Sequence, residues 1–151
     1  MITKKRLVKA YMEVAKTFGE LSHARRLKVG CIVVKDDRII SIGYNGTPSG
    51  WDNNCEDFVV DTKEGFDNYD IHSDLVTKPE VLHAETNAIA KLAKSTESGE
   101  GATLFCTCAP CLDCSKLIYQ SGIKQVVYGH TYKNNDGINF LKKSGVKVGK
   151  S

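Results

Sequence analysis

His83-Ala84-Glu85 and, 28 residues on, Pro110-Cys111-Leu112-Asp113-Cys114 are the stretches that decide how this chain is read. One imidazole and two thiols make a nitrogen–sulfur ligand set suited to zinc. A structural zinc normally closes its tetrahedron with four protein ligands, whereas a catalytic one uses three and leaves the fourth place to water. Glu85 stands two residues from the histidine, close enough to handle the protons of such a water. Cys111 and Cys114 are spaced i, i+3 and share one face of a helix. Pro110 suits the first position of that helix, where no backbone N–H is needed. Both thiols then sit in a first turn, whose unpaired N–H groups and positive dipole end favour thiolates. His83 and Glu85 would diverge in a helix interior but can converge at a helix N-terminus. Ala84, Ala88, Ile89 and Leu92 continue behind them at helical spacing.

Other readings stand beside this one. A C-x-x-C pair is often a redox couple or half of a structural zinc site. Cys106, Cys108, Cys111 and Cys114 could form a local four-thiolate knot, with His83 and Glu85 as bystanders. Against the knot, Thr103 to Cys106 reads as a buried strand in which Cys106 is a small apolar residue.

At 151 residues and 41% hydrophobic, the chain is expected to fold as a single domain over 1–151, with a core that needs no disulfides. No stretch approaches the roughly 20 apolar residues of a membrane span, and the lysine-rich start lacks a signal peptide's apolar run. Six cysteines clustered mostly at one site imply reduced thiols and a cytoplasmic setting. The net charge of +3 is unevenly spread. Residues 1–28 carry eight Lys or Arg against Glu13 and Glu20, whereas residues 52–85 carry ten Asp or Glu against Lys63 and Lys78. A protein that grips a nucleic-acid backbone shows a basic stripe at its entrance. An acidic segment just before the histidine favours a small substrate over a polymer.

Along the chain, Thr3 to about Leu21 reads as an amphipathic helix with Leu7, Tyr11, Val14, Phe18 and Leu21 as its apolar stripe. Arg25-Arg26-Leu27-Lys28 is a charge run. Val29 to Val34 is a buried strand, and Asp36-Asp37 turns it into an antiparallel partner, Arg38 to Tyr44. Residues 45–82 are long for a connection, and their Gly, Asp and Asn content argues against long regular elements. Cys55 and His72 within them are candidates for a second metal. Lys124 to Tyr128 reads as a strand, Asn134 to Ser144 as a short helix and Val146 to Val148 as a last strand. Strands alternating with helices in the second half imply an α/β layer with parallel pairings.

H-x-E followed by P-C-x-x-C is the signature of the zinc-dependent deaminases. Together with Lys28-Val29-Gly30-Cys31, the loop Gly43-Tyr44-Asn45-Gly46-Thr47-Pro48 and the run His83 to Ile89, it resembles the deoxycytidylate (dCMP) deaminases of the cytidine deaminase superfamily. Gly122-Ile123-Lys124, Val127-Tyr128 and Tyr132 fit the same pattern, so the resemblance runs from about Val29 to Tyr132. It implies a three-layer α/β fold whose five-stranded mixed sheet has the order 2-1-3-4-5 and is flanked by helices. It implies that His83, Cys111 and Cys114 hold one zinc ion and that Glu85 shuttles protons. Asn45 would contact the nucleotide sugar, with Arg26, Lys28 and Tyr132 near the 5′-phosphate. Gly43, Tyr44, Asn45 and Gly46 would also touch a regulatory triphosphate carrying Mg²⁺, with dCTP activating and dTTP inhibiting a homohexamer. Two departures stand out: Ala109 replaces a serine common before Pro-Cys, and the paired cysteines near Arg25 that would serve a second, structural zinc are missing. The activity implied is hydrolysis of dCMP to dUMP and ammonia. A polynucleotide or tRNA base deaminase on the same zinc core is the runner-up, disfavoured by the acidic segment and the G-Y-N-G loop. A non-enzymatic structural zinc module comes last, disfavoured by Glu85.

Overall fold

A computed structural model describes residues 3–62 and 71–151, apart from the side chains of 60–62 and 71–73. Asp36 and Asp37 both take positive φ, 51° and 57°. Positive φ at both central residues is the hairpin geometry that matches the right-handed twist of two antiparallel strands. Around that hairpin the chain runs α1 (Lys5–Gly19), β1 (Gly30–Lys35), β2 (Arg38–Tyr44), β3 (Glu56–Thr62), β4 (Ile71–Thr77), α2 (Ala84–Ala93), β5 (Thr103–Cys108), α3 (Leu112–Gln120), β6 (Gln125–His130), α4 (Asp136–Lys143) and β7 (Lys147–Lys150). Five strands form one sheet in the order β2-β1-β5-β6-β7. Counted along the chain, that is the expected order 2-1-3-4-5. β1 is antiparallel to β2 and β5, while β5, β6 and β7 run parallel.

The sheet is buried on both faces, which is why β1 and β5 read as unbroken apolar runs rather than alternating ones. Cys31 and Val33 of β1 point into a core shared with Ala88 and Leu92 of α2, Ile118 of α3 and Leu141 of α4. Ile32 and Val34 point the other way, against Met12 and Ala15 of α1. The result is three layers, with α1 alone on one side.

The buried stripe of α1 differs from the expected one. Met12, Ala15 and Gly19 are buried, with Val8, Tyr11 and Val14 packed beside them, whereas Leu7 and Leu21 are exposed. Helix and strand approach so closely that a Cβ on Gly30 would overlap the Ala15 carbonyl and the Gly19 amide. Only small residues fit that contact, and a stripe drawn through the largest apolar side chains misses it.

A second departure lies between β2 and α2. The segment expected to lack long regular elements carries an antiparallel hairpin, with Glu56 opposite Thr77 and Phe58 opposite Leu75. Its sheet is separate from the main one, and Phe58 and Val76 are exposed. Strands without a buried face leave only a weak alternating pattern, so composition alone reads them as loop. The Cys55 half of the second-metal idea is buried; the His72 half falls on a side chain outside the described ones.

Gly43 illustrates how tightly the site is held from behind. A Cβ there would overlap the Ala84 carbonyl and sit 2.7 Å from the Ala88 amide. Gly43→Ala must therefore push α2 off β2. Overpacking of this kind costs typically about 1–3 kcal/mol, sometimes more. Thermal denaturation is expected to show that loss, and zinc content to fall with it, because α2 begins beside His83.

Candidate active site

Two helix N-termini meet at the head of the sheet. His83 is the N-cap of α2, in extended backbone with φ −73° and ψ 156°. Cys111 is the N-cap of α3, and its sulfur accepts the Cys114 amide N–H at 3.5 Å. Pro110 therefore lies one residue before the cap, and Leu112 takes the first helical position expected for it. The shift helps the chemistry. A capping side chain folds back over the third helical residue, here Cys114, which brings both sulfurs to one point.

His83 Nδ1 lies 3.3 Å from Cys114 Sγ and 3.6 Å from Cys111 Sγ. All three donor atoms fall within 4.8 Å of one another, and this is the one such trio among the described residues. Tetrahedral bonds of about 2.0–2.3 Å hold ligand atoms roughly 3.5–3.8 Å apart, so both sulfurs stand at about a zinc site's spacing from the imidazole nitrogen. The four-thiolate knot does not form, because Cys106 points elsewhere.

The three donors share charge strongly. Hydrogen bonds from the Cys114 thiol and from His83 pull the Cys111 thiol down to about 4. Cys114, as donor to Cys111 and itself buried, is pushed up. The Cys111 partner raises His83, against the opposing effect of burial. A dication bound among these groups would favour the deprotonated form of both thiols, as metal binding requires.

Glu85 is 4% exposed. Burial raises its carboxyl pKa, opposed by its own backbone N–H, by His83 and by Cys106. Cys106 donates from Sγ to Glu85 Oε1 at 3.4 Å. The buried-strand reading of Cys106 is correct but incomplete, because the sequence carries no sign of this contact. A carboxyl whose pKa is raised by burial is shifted in the direction that suits an acid–base role.

His83, Glu85 and Cys111 open onto a cleft of about 310 Å³ whose wall includes Arg26, Asn45, Glu56 and Tyr132. Three of the four expected substrate contacts are therefore brought together. Lys28 is not: it lines a separate cavity with Lys16 and His130. Asn45 is committed to the protein itself, accepting from the Val29 amide at 2.9 Å and donating to the Leu27 carbonyl at 2.8 Å. It shapes the wall by holding residues 27–29. Of the expected regulatory residues, Gly43 is packed on α2, and Gly46 pairs both backbone groups with Leu82. Tyr44 lies outside the cleft with Lys91 Nζ 5.9 Å from its ring centre. The residue that sequence reasoning missed is Glu56, a buried acid inside a run of acidic residues.

Residues 5–130 match the family described as the cytidine and deoxycytidylate deaminase zinc-binding region. The chain is 36% identical to the deoxycytidylate deaminase of enterobacteria phage T4, across 91% of this chain and 86% of that one. It is 34% identical to the deoxycytidylate deaminase of Saccharomyces cerevisiae, of which it spans only 42%. The crystal structure of the dCMP deaminase from cyanophage S-TIM5, in complex with dCMP and dUMP, superposes with a TM-score of 0.83 at 45% identity. That likeness covers 99% of this chain and all of the cyanophage one. Two capped helices presenting zinc donors beside a buried glutamate thus have close kin in both sequence and structure, and this chain belongs to the cytidine and deoxycytidylate deaminase family, within its deoxycytidylate deaminase branch.

Proposed function

We propose that the chain hydrolyses dCMP to dUMP and ammonia in the cleft at the head of α2 and α3. The observation that carries this reading is the composition of one cavity: His83 and Cys111 of the nitrogen–sulfur donor trio, a buried glutamate and an arginine all line it, with Cys114 completing the trio behind its wall. His83, Cys111 and Cys114 would hold zinc, which when bound acts as a Lewis acid and makes water a competent nucleophile near neutral pH. Glu85 takes the proton of the water that attacks C4 of the cytosine ring and passes it to N3. It then carries the second proton to the exocyclic nitrogen, which departs as ammonia. One water is consumed and no redox partner is needed. The hydrogen bond from Cys106 holds one carboxyl oxygen, leaving the other to turn toward the cleft. Arg26 would meet the 5′-phosphate, with Tyr132 at the same rim and Lys28 contributing at longer range. Asn45 would act on the sugar side by shaping the wall. Six unpaired thiols suit a reducing, cytoplasmic compartment.

Ammonia release assayed on dCMP, dCTP, deoxycytidine and single-stranded DNA tests the substrate. The expected result is turnover of dCMP well above the other three. Preference for the polymer would move the reading to a polynucleotide deaminase, and no turnover of any would leave a structural zinc module.

Regulation is the finer part of the proposal. Tyr44 offers a ring, and Lys91 beside it a cation, outside the cleft, a pairing suited to the base and phosphates of a triphosphate bound with Mg²⁺. Gly43 serves packing, so the regulatory reading rests on Tyr44, Gly46 and the exposed side of Asn45. dCTP should activate and dTTP inhibit a homohexamer. Couplings between sites are typically about 1–3 kcal/mol, so half-saturation by dCMP should move several-fold at fixed Mg²⁺. A saturation curve indifferent to both triphosphates, from a protein of monomeric mass, would remove this part.

A further inference from the structure

Glu56 opens β3 and is 1% exposed. Its Oε1 accepts two consecutive backbone N–H groups, Arg25 at 2.8 Å and Arg26 at 3.1 Å. Its Oε2 accepts Arg25 Nε at 3.4 Å. Arg25 is held further by Asn54 Oδ1 at 3.0 Å and by the Glu56 carbonyl at 3.2 Å, with its guanidinium 5.3 Å from the centre of the Phe58 ring. Burial raises the Glu56 carboxyl pKa, and the donors from Arg26 and Arg25 lower it by more. A buried carboxylate this fully satisfied is a designed anchor rather than a stray surface acid.

The consequence falls on Arg26. One oxygen bound to two successive amides fixes the peptide between them, and with it the direction in which the Arg26 side chain leaves. At the far end, Arg26 Nη1 donates to Thr77 Oγ1 at 3.2 Å, and Thr77 is the strand partner of Glu56 across the hairpin. Arg25 takes up the charge of Glu56. Among the described side chains Arg26 is left with a neutral hydroxyl partner, lining the same cleft as His83 and Glu85. A guanidinium lining a cleft, with no carboxylate partner among the described side chains, is suited to bidentate recognition of a phosphate dianion.

We infer that Glu56 is a positioning residue for the substrate's phosphate: it fixes the Arg25–Arg26 turn so that Arg26 faces the cleft while Arg25 carries the neutralising charge. The β3–β4 hairpin is then a specificity element, separating nucleotide from nucleoside. This inference rests on the proposed deamination of dCMP.

The test compares Glu56→Ala, Glu56→Gln and Arg26→Ala in steady-state kinetics on dCMP and on deoxycytidine, with zinc content and amide hydrogen exchange at residues 25 and 26. Glu56→Ala is expected to raise KM for dCMP about ten- to a hundred-fold, the scale of a lost charge-assisted contact. Its kcat, zinc content and weak activity on deoxycytidine should be nearly unchanged, and the two amides should exchange faster. Glu56→Gln keeps an acceptor oxygen for both amides, so it should recover part of the KM loss; should the alanine variant not fold, this variant against parent carries the comparison. Equal losses on both substrates, or zinc loss, would make Glu56 a fold residue and overturn the inference. If Arg26→Ala raises KM for dCMP and neither Glu56 variant does, positioning by Glu56 alone fails. If Arg26→Ala leaves KM for dCMP unchanged, the phosphate role of Arg26 fails and the inference with it.

Discussion

Glu85→Gln is expected to keep its zinc and to release ammonia from dCMP at least about 10²–10⁴-fold more slowly than the parent, the usual worth of one general acid–base group. The upper end is the better guide, because one carboxyl serves both proton transfers. The amide is the same size and can still accept from Cys106 through its oxygen, so packing is preserved. What it loses is the ability to take and return a proton. Burial raises the carboxyl's pKa, the direction a proton carrier needs. Metal analysis and single-turnover kinetics on the same preparation check this. An amide variant within a few-fold of the parent would remove Glu85 from the chemistry, and one that lost zinc would make it a supporting residue.

Cys114→Ser should lower zinc affinity by more than the about 10–100-fold typical of a lost outer-shell partner, and activity should fall in proportion to bound metal. Cys111→Ser should do the same and also weaken the cap of α3, since its sulfur accepts the Cys114 amide. Cys106→Ser should retain zinc, because a hydroxyl at that position still donates to Glu85 and does not face the donor trio. Zinc titration with a competing chelator separates the three. Equal zinc loss in Cys106→Ser or Cys108→Ser would return the four-thiolate knot to consideration.

The fold was largely legible because its signals are periodic and local. β1 and β5 are buried on both faces, so their sequences are continuous apolar runs that admit few other readings. Two aspartates between β1 and β2 force the hairpin. The donor trio was legible for a different reason: a capping residue and the residue three places on are neighbours by helix geometry alone, so His83 and the two cysteines needed only helix starts to be placed. The hairpin of β3 and β4 was not legible, because Phe58 and Val76 are exposed and leave no one-sided pattern. Glu56 was hidden for a related reason. It is one of ten acids in residues 52–85, and only its backbone partners, 30 and 31 residues away, distinguish it from a solvated neighbour. The face of α1 was only partly read: Tyr11 and Val14 of the expected stripe pack on the core, but close approach selects Ala15 and Gly19, which a search for bulk passes over. Lys28 shares a charge run with Arg26 but points to another cavity, a divergence that spacing in an irregular loop cannot show.

The most direct test of the central claim is to follow dCMP in ¹⁸O-labelled water with zinc-loaded protein, by mass spectrometry of the nucleotide together with ammonia release. Hydrolytic deamination predicts dUMP carrying one solvent-derived oxygen and one ammonia per dUMP formed, with both signals slowed at least about 10²–10⁴-fold in Glu85→Gln. Unchanged dCMP with zinc fully bound, or dUMP formed at the parental rate by Glu85→Gln, would contradict the account.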